Sequence, residues 1–387
     1  MAEDPAAIDR AVTLHGDSLA AMDEADLPRA KALATEALAL FERESGAGHP
    51  DVANVLNCLA RVEEGLANYA EAGRHAARSV DIMRAVRQQV SGADIERLYV
   101  QSLNAHGNAE RILGRYDSAE GVLREALAIA EAALDEGDDD LVQTLNSLGV
   151  LFKYAGRFDE ARTLYERAIG MVERASGPDD ASLASLLHNL GGLEHARGDY
   201  TRGEAPARRS VELRERALGP DHPDVAADIA ALAAIVDAQG RHDEAEQMYL
   251  RALEVFERTY GPDHYEIAVT LNNLAGIHQA RGETREAEGH YRRALAIKER
   301  LFGPDHPDVA MTQNNLALLL DAAGHARDAE ALYERALRTF VAALEPGHPK
   351  IRACAANYAA LLRDLGMSAA AKALEARHAI PARPPDD

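Results

Sequence analysis

Apolar residues recur three and four positions apart along most of this 387-residue chain, and the pattern itself repeats every 42 residues. LNSLGVLFKYAG at Leu145–Gly156, LHNLGGLEHARG at Leu187–Gly198, LNNLAGIHQARG at Leu271–Gly282 and QNNLALLLDAAG at Gln313–Gly324 share one register. A second block follows, as in FDEARTLYERAI from Phe158, HDEAEQMYLRAL from His242 and ARDAEALYERAL from Ala326. Such spacing predicts amphipathic helices, and a fixed period predicts stacked copies of one small unit. Gly156, Gly198, Gly240, Gly282 and Gly324 separate the blocks, where glycine ends a helix and lets the chain turn. Each unit reads helix, turn, helix, linker.

The linker carries the most conspicuous chemistry. GPDHPDVA occurs at Gly219–Ala226 and again at Gly303–Ala310, with the near-copy GPDHYEIA from Gly261. A His flanked by Asp residues invites a metal or catalytic reading, but a catalytic motif has no reason to recur every 42 residues. Gly219 and Gly303 stop one helix, and Pro220 and Pro304 prevent its continuation. Pro223 and Pro307 then fall in the first turn of the next helix, with Asp224 and Asp308 near its positive end. His222 and His306 are expected to cap or pack at this junction.

Small residues set the packing. Ala161, Ala245, Ala287 and Ala329 fall where two helices must approach closely, and Tyr165, Tyr249, Tyr291 and Tyr333 share one position that fills the gap between neighbouring units.

These features resemble the tetratricopeptide repeat family. The 42-residue length, the LNNLA core and the G-x-D-H-P-D linker resemble its kinesin light chain subtype, which also occurs widely in bacterial proteins. The resemblance implies an all-α fold, a right-handed α-solenoid of about nine antiparallel helix pairs. Residues 1–90 are expected to hold degenerate N-terminal units, 91–376 the array of 42-residue repeats, and 377–387 a disordered tail ending in IPARPPDD. The first pair (about Ala6 to Ser45) and the last (about Pro349 to Ala376) depart most from the pattern, as terminal caps do. The heptad coiled coil of true kinesin light chains is absent from this sequence, so motor binding is not implied.

Two local departures stand out. Asn57 and Asn104 are equivalent but 47 apart, so about five extra residues sit near Val90–Asp94, and this SGAD stretch is the expected flex point. Pro206 falls inside a second helix and is expected to kink or shorten it.

Composition narrows the function. Aromatics are 5% and Trp is absent, so the core is built from Ala, Leu and Val. A net charge of −22 repels phosphate backbones and anionic lipid, which argues against nucleic acid and membrane as partners. No apolar run approaches the ~18 residues of a membrane span, and the acidic start is unlike a signal peptide, so a cytoplasmic protein is expected. Cys58 and Cys354 read as buried free thiols. The chain has no G-x-S-x-G, no Gly-rich phosphate loop and no H-E-x-x-H, and no enzyme activity, cofactor or metal is expected.

What a repeat array offers instead is a long inner wall lined by the first helix of each unit. Counting from the apolar anchors puts Asn57, Asn104, Asn146, His188, Ala230, Asn272 and Asn314 on it. A carboxamide carries an acceptor and two donors, so it can grip the backbone of an extended peptide. In peptide-binding relatives Asn at the matching position does this, and the resemblance implies the same here. These Asn residues also suit bonds between adjacent helices, the reading preferred for Asn273 and Asn315. One and two turns along, the wall varies as a specificity surface should, through Arg61, Asn108, Arg111, Lys153, His195, Gln279 and Asp321.

The cations cluster from Arg61 to Lys153, where an acidic peptide or a C-terminal carboxylate would fit, although solvation of a helix face explains them equally. The ladder breaks at Ala230 near Pro206, so the array is expected to offer two half-grooves. The expected function is a non-enzymatic module binding a peptide or disordered segment of a partner protein, as a monomer or weak homodimer. The alternative is a regulatory sensor whose superhelix changes shape on binding a signalling peptide or small molecule. An enzyme using the linker His and Asp comes last.

Overall fold

The computed structural model describes residues 4–24, 26–66 and 68–378; the tail sequence IPARPPDD lies outside them. Among the described residues every regular element is an α-helix, and the eighteen helices fall into two compact units, Met1–Gly198 and Asp199–Asp387. The first unit holds α1 (Pro5–Asp23), α2 (Leu27–Glu44), α3 (Pro50–Gly65), α4 (Tyr69–Arg87), α5 (Ala93–Ile112), α6 (Tyr116–Ala133), α7 (Asp139–Tyr154), α8 (Phe158–Ser176) and α9 (Leu183–Arg197). The second holds α10 (Tyr200–Leu218), α11 (Pro223–Ala238), α12 (His242–Tyr260), α13 (Tyr265–Ala280), α14 (Thr284–Phe302), α15 (Pro307–Ala322), α16 (Ala326–Ala343), α17 (Pro349–Asp364) and α18 (Ser368–Arg377). Each unit is an all-α solenoid of four helix pairs and one further helix, α9 in the first and α10 in the second. Within each, a first helix packs on its own second helix and on the first helix of the neighbouring pair, as α5 does with α6 and α7.

The linkers do what their residues predict. Gly219 and Gly303 end α10 and α14 at φ +86° and +79°, a left-handed conformation that favours glycine. Five linker histidines are N-caps: the Asp51, Asp224, Glu266, Asp308 and Lys350 amides donate to Nδ1 of His49, His222, His264, His306 and His348 at 3.1–3.3 Å. Pro50, Pro223, Pro307 and Pro349 open their helices, where a missing N–H costs nothing.

The core follows the repeat. Ala161, Ala245, Ala287 and Ala329 are fully buried, and Tyr165, Tyr249, Tyr291 and Tyr333 are buried with them. Tyr165 lies so close over Gly149 that a Cβ there would come within 2.5 Å of its ring, so this first helix admits only glycine at that contact. Cys58 and Cys354 are buried free thiols.

Two expectations change in detail. The extra residues before α5 do not form a longer loop. They lengthen α5 to twenty residues against sixteen for α3 and α7, and Arg87 pairs with Glu96 at 2.8 Å across the short connection. Pro206 does not shorten α10, whose nineteen residues match α8 and α12.

One inward position distinguishes otherwise similar repeats of the second unit. Arg214 pairs with buried Asp228 at 2.7 Å, and Ser210 Oγ donates to the same carboxylate at 2.7 Å. Forty-two residues on, buried Phe256 and Thr270 take these places; after another 42, Lys298 Nζ donates to Thr312 Oγ1 at 3.1 Å.

Candidate functional site

The first helices of the first unit carry a polar inner wall. A cleft of about 660 Å³ opens between α1, α3, α5 and α7, lined among others by His15, Asn57, Arg61, Glu64, Gln101, Asn104 and Asn108. Four of the residues expected from sequence, Asn57, Arg61, Asn104 and Asn108, therefore meet in one place.

The Asn ladder is partly structural. Asn57 Nδ2 donates to Ser102 Oγ at 3.1 Å and Asn104 Nδ2 to Thr144 Oγ1 at 2.8 Å, while each Oδ1 is buried without a partner among the described residues. Asn108 Nδ2 donates to Ser147 Oγ at 3.2 Å. Asn146 Oδ1 accepts from Asn189 Nδ2 at 2.8 Å. In the second unit Asn272 Oδ1 accepts from Asn315 at 3.3 Å, and Asn314 Oδ1 from Asn357 at 3.3 Å. Each ladder amide spends one end holding the next repeat. Asn146 and Asn272, both half-buried, have an Nδ2 without a protein partner among the described residues. A carboxamide held this way is preorganised, with less rotamer freedom left to lose on binding.

Beyond the cleft lies a cationic cluster. Arg111 on α5 and Lys153 on α7 both approach the exposed ring of Tyr154, at 5.4 and 5.1 Å from its centroid. Arg61 and Arg111 both act on the Glu64 carboxyl, whose pKa burial raises against the pull of these two charges. Burial lowers the Lys153 pKa, and the Arg111 charge lowers it further. Among the described residues no carboxylate comes within 4 Å of Arg61, Arg111 or Lys153, and Arg111 Nε is buried without a partner. Elsewhere in this unit arginines are paired: Arg157 bridges Glu120 and Glu160 at 2.6 Å each, and Arg162 grips Glu194 with two bonds of 2.7 and 2.6 Å. In a chain of net charge −22, these three cations make no ion pair among the described residues, and Glu64 is the carboxyl that the charges of Arg61 and Arg111 act on.

His188 and His195 lie half-buried on α9, and burial lowers the pKa of His195. In the second unit Gln279 Oε1 accepts from Tyr291 Oη at 3.2 Å, and burial together with Asp364 raises the pKa of Asp321. By register the second unit's inner wall, apart from Asp237, is otherwise small and apolar, through Ala230, Ala234, Val269, Gly276, Met311 and the 42% exposed Leu318. Tyr154, Glu64 and Asn189 escaped the sequence reading. Glu64 occupies the same wall row as Arg111 and Lys153, which could have found it; nothing in the repeat marks Tyr154.

Among the described residues no group of three or more His, Cys, Asp or Glu is placed to hold a metal ion, and no helix is long and apolar enough to cross a membrane.

A family model described as tetratricopeptide repeat matches residues 98–174, 182–258, 226–300 and 266–340. No curated protein sequence matches the chain. Solved structures with a similar fold include apo RapI (14% identity, 95% of this chain and 97% of that one, TM-score 0.62). A signal transduction ATPase with a tetratricopeptide repeat sensor from Pyrococcus horikoshii is another (13%, 92% and 51%, TM-score 0.63). A Podosopora anserina protein titled as a kinesin light chain with nearly identical TPR-like repeats matches over a shorter span (23%, 51% and 94%, TM-score 0.44). At these identities the likeness is one of fold.

Proposed function

Because the chain belongs to the tetratricopeptide repeat family, whose model covers more than half of it, we propose that it is a non-enzymatic binding module whose first unit holds an acidic segment or C-terminal carboxylate of a partner protein. The observation that carries this reading is the cluster of Arg61, Arg111 and Lys153, without an ion-pair partner among the described residues of a strongly acidic chain. Arg offers a planar fork suited to carboxylate, and its half-buried setting at Arg111 strengthens such a bond relative to open solvent. Asn146 Nδ2 supplies a donor for a peptide carbonyl along the same wall. The wall of the second unit, small and apolar around Asn272 and Asn314, suits uncharged side chains of a bound segment.

The test is fluorescence anisotropy with a labelled peptide ending in several Glu and a free carboxylate, measured against its Gln-substituted, amidated counterpart. Arg111→Gln and Arg61→Gln should each weaken the acidic peptide about tenfold, with helical circular dichroism unchanged. Equal affinity for both peptides, or no loss in either variant, would sink the proposal.

A further inference from the structure

Lys153 differs from every other lysine of the chain. Of the five, Lys31 pairs with Glu63 at 2.8 Å, Lys298 is 2% exposed and bonded to Thr312, and Lys350 and Lys372 are exposed. Lys153 is half-buried at the end of α7, and its Nζ has neither a hydrogen-bond nor an ion-pair partner among the described residues. Burial and the Arg111 charge disfavour the ammonium, against the pull of the Tyr154 ring face. Arg111 from α5 shares the Tyr154 ring with it, and Nζ lies 3.9 Å from where a Cβ at Gly192 of α9 would stand. One turn back along α7, Tyr165 of α8 lies over Gly149, its buried hydroxyl without a partner among the described residues, and His195 stands at the equivalent position of α9. Burial and the Arg111 charge both lower the pKa of the amine. Amines kept desolvated beside a second cation are more nucleophilic at neutral pH than exposed ones.

We propose that Lys153 is a nucleophilic lysine that accepts an acyl group from an acyl phosphate, with the phosphate recruited by Arg111. The neutral Nζ attacks the acyl carbon, the N–C bond forms, and the C–O bond to phosphorus breaks. Inorganic phosphate leaves with the electron pair, and the nitrogen gives its surplus proton to water. Nothing is oxidised or reduced. The reagent class follows from the site: the free guanidinium favours an anionic leaving group, and its fork matches phosphate oxygens. The product is an uncharged amide where the cluster had a cation. If the groove binds anionic segments as proposed above, acylation would weaken that binding; the reactivity itself does not depend on that reading.

The test uses the full chain and acetyl phosphate at mildly alkaline pH, with acetylation of all five lysines followed by peptide mass spectrometry. Lys153 should acetylate about fivefold or more faster than Lys350 and Lys372. Arg111→Gln should erase most of that advantage while leaving the other two sites unchanged, and unfolding in urea should abolish it. Lys153 reacting no faster than the exposed lysines, or an advantage indifferent to Arg111, would overturn the proposal whatever the groove binds.

Discussion

Asn189 Nδ2 donates to Asn146 Oδ1 at 2.8 Å, joining α9 to α7, while Asn146 Nδ2 has no partner among the described residues. One amide is thus a strut, and the other is a strut with a spare hand. Asn189→Ala should lower stability in urea by about 1 kcal/mol, the cost of a lost hydrogen bond, and change acidic-peptide affinity by less than about twofold. Asn146→Ala should lose a similar amount of stability and also weaken the peptide. Equal affinity losses in both would mean that Asn146 acts only through the fold.

Acid should weaken the second unit through Glu204. Hydrogen bonds from Arg241, with help from Arg208 and Gln239, hold its pKa at about 2, well below the ordinary carboxylate value. A depressed carboxylate contributes stability above its unfolded pKa and loses it as pH falls through the folded value. With solvent screening, the contribution is about 1–2 kcal/mol. In urea titrations Glu204→Gln should therefore be less stable than the parent near neutrality, with the gap closing as pH falls from about 4.5 towards 2. A gap that persists in acid would refute the assignment.

Lys298 should be a net cost to the fold. Burial lowers its pKa, with Asp308 opposing and Lys350 adding to the effect. The charged folded form is therefore penalised below the folded pKa, and the penalty fades as pH rises towards the unfolded value. Lys298→Met should stabilise by about 1–2 kcal/mol near neutrality, with the gain shrinking towards about pH 10. A less stable Met variant would show that the Thr312 bond outweighs the burial.

His306 is the N-cap of α15. Its Nδ1 accepts the Asp308 amide at 3.2 Å. His306→Ala should cost about 1 kcal/mol of stability and leave peptide affinity unchanged. A loss of affinity at unchanged stability would return the linker to the list of functional sites.

The helices and linkers were legible because their signals are local: three-and-four spacing, Gly at the stop, Pro and Asp at the start. The histidine caps followed from the same register. The loop before α5 is legible only as far as Ser91 and Gly92, which do lie in the connection. Ala93 to Glu96, with Asp94 and Glu96 suiting the positive end of a helix, instead extend α5 by a turn. The division after Gly198 leaves no mark, since the 42-residue period runs through it unbroken. The cationic wall was legible residue by residue. That its members lack carboxylate partners was not, because pairing depends on which outer-face Glu each arginine can reach.

A chain built from near-copies must also fold without confusing them. Between GPDHPDVA and its second occurrence lie two full repeats, and a helix docked one repeat out of place would meet an almost identical apolar surface. The inward position occupied in turn by half-buried Arg214 and buried Phe256 and Lys298 works against that error. Slipped by 42 residues, Asp228 would face Phe256 in place of its guanidinium, leaving a buried carboxylate unpaired. These polar residues serve as keys that number the repeats, admitting each helix to its own neighbour and refusing a copy, whether from the same chain or from another.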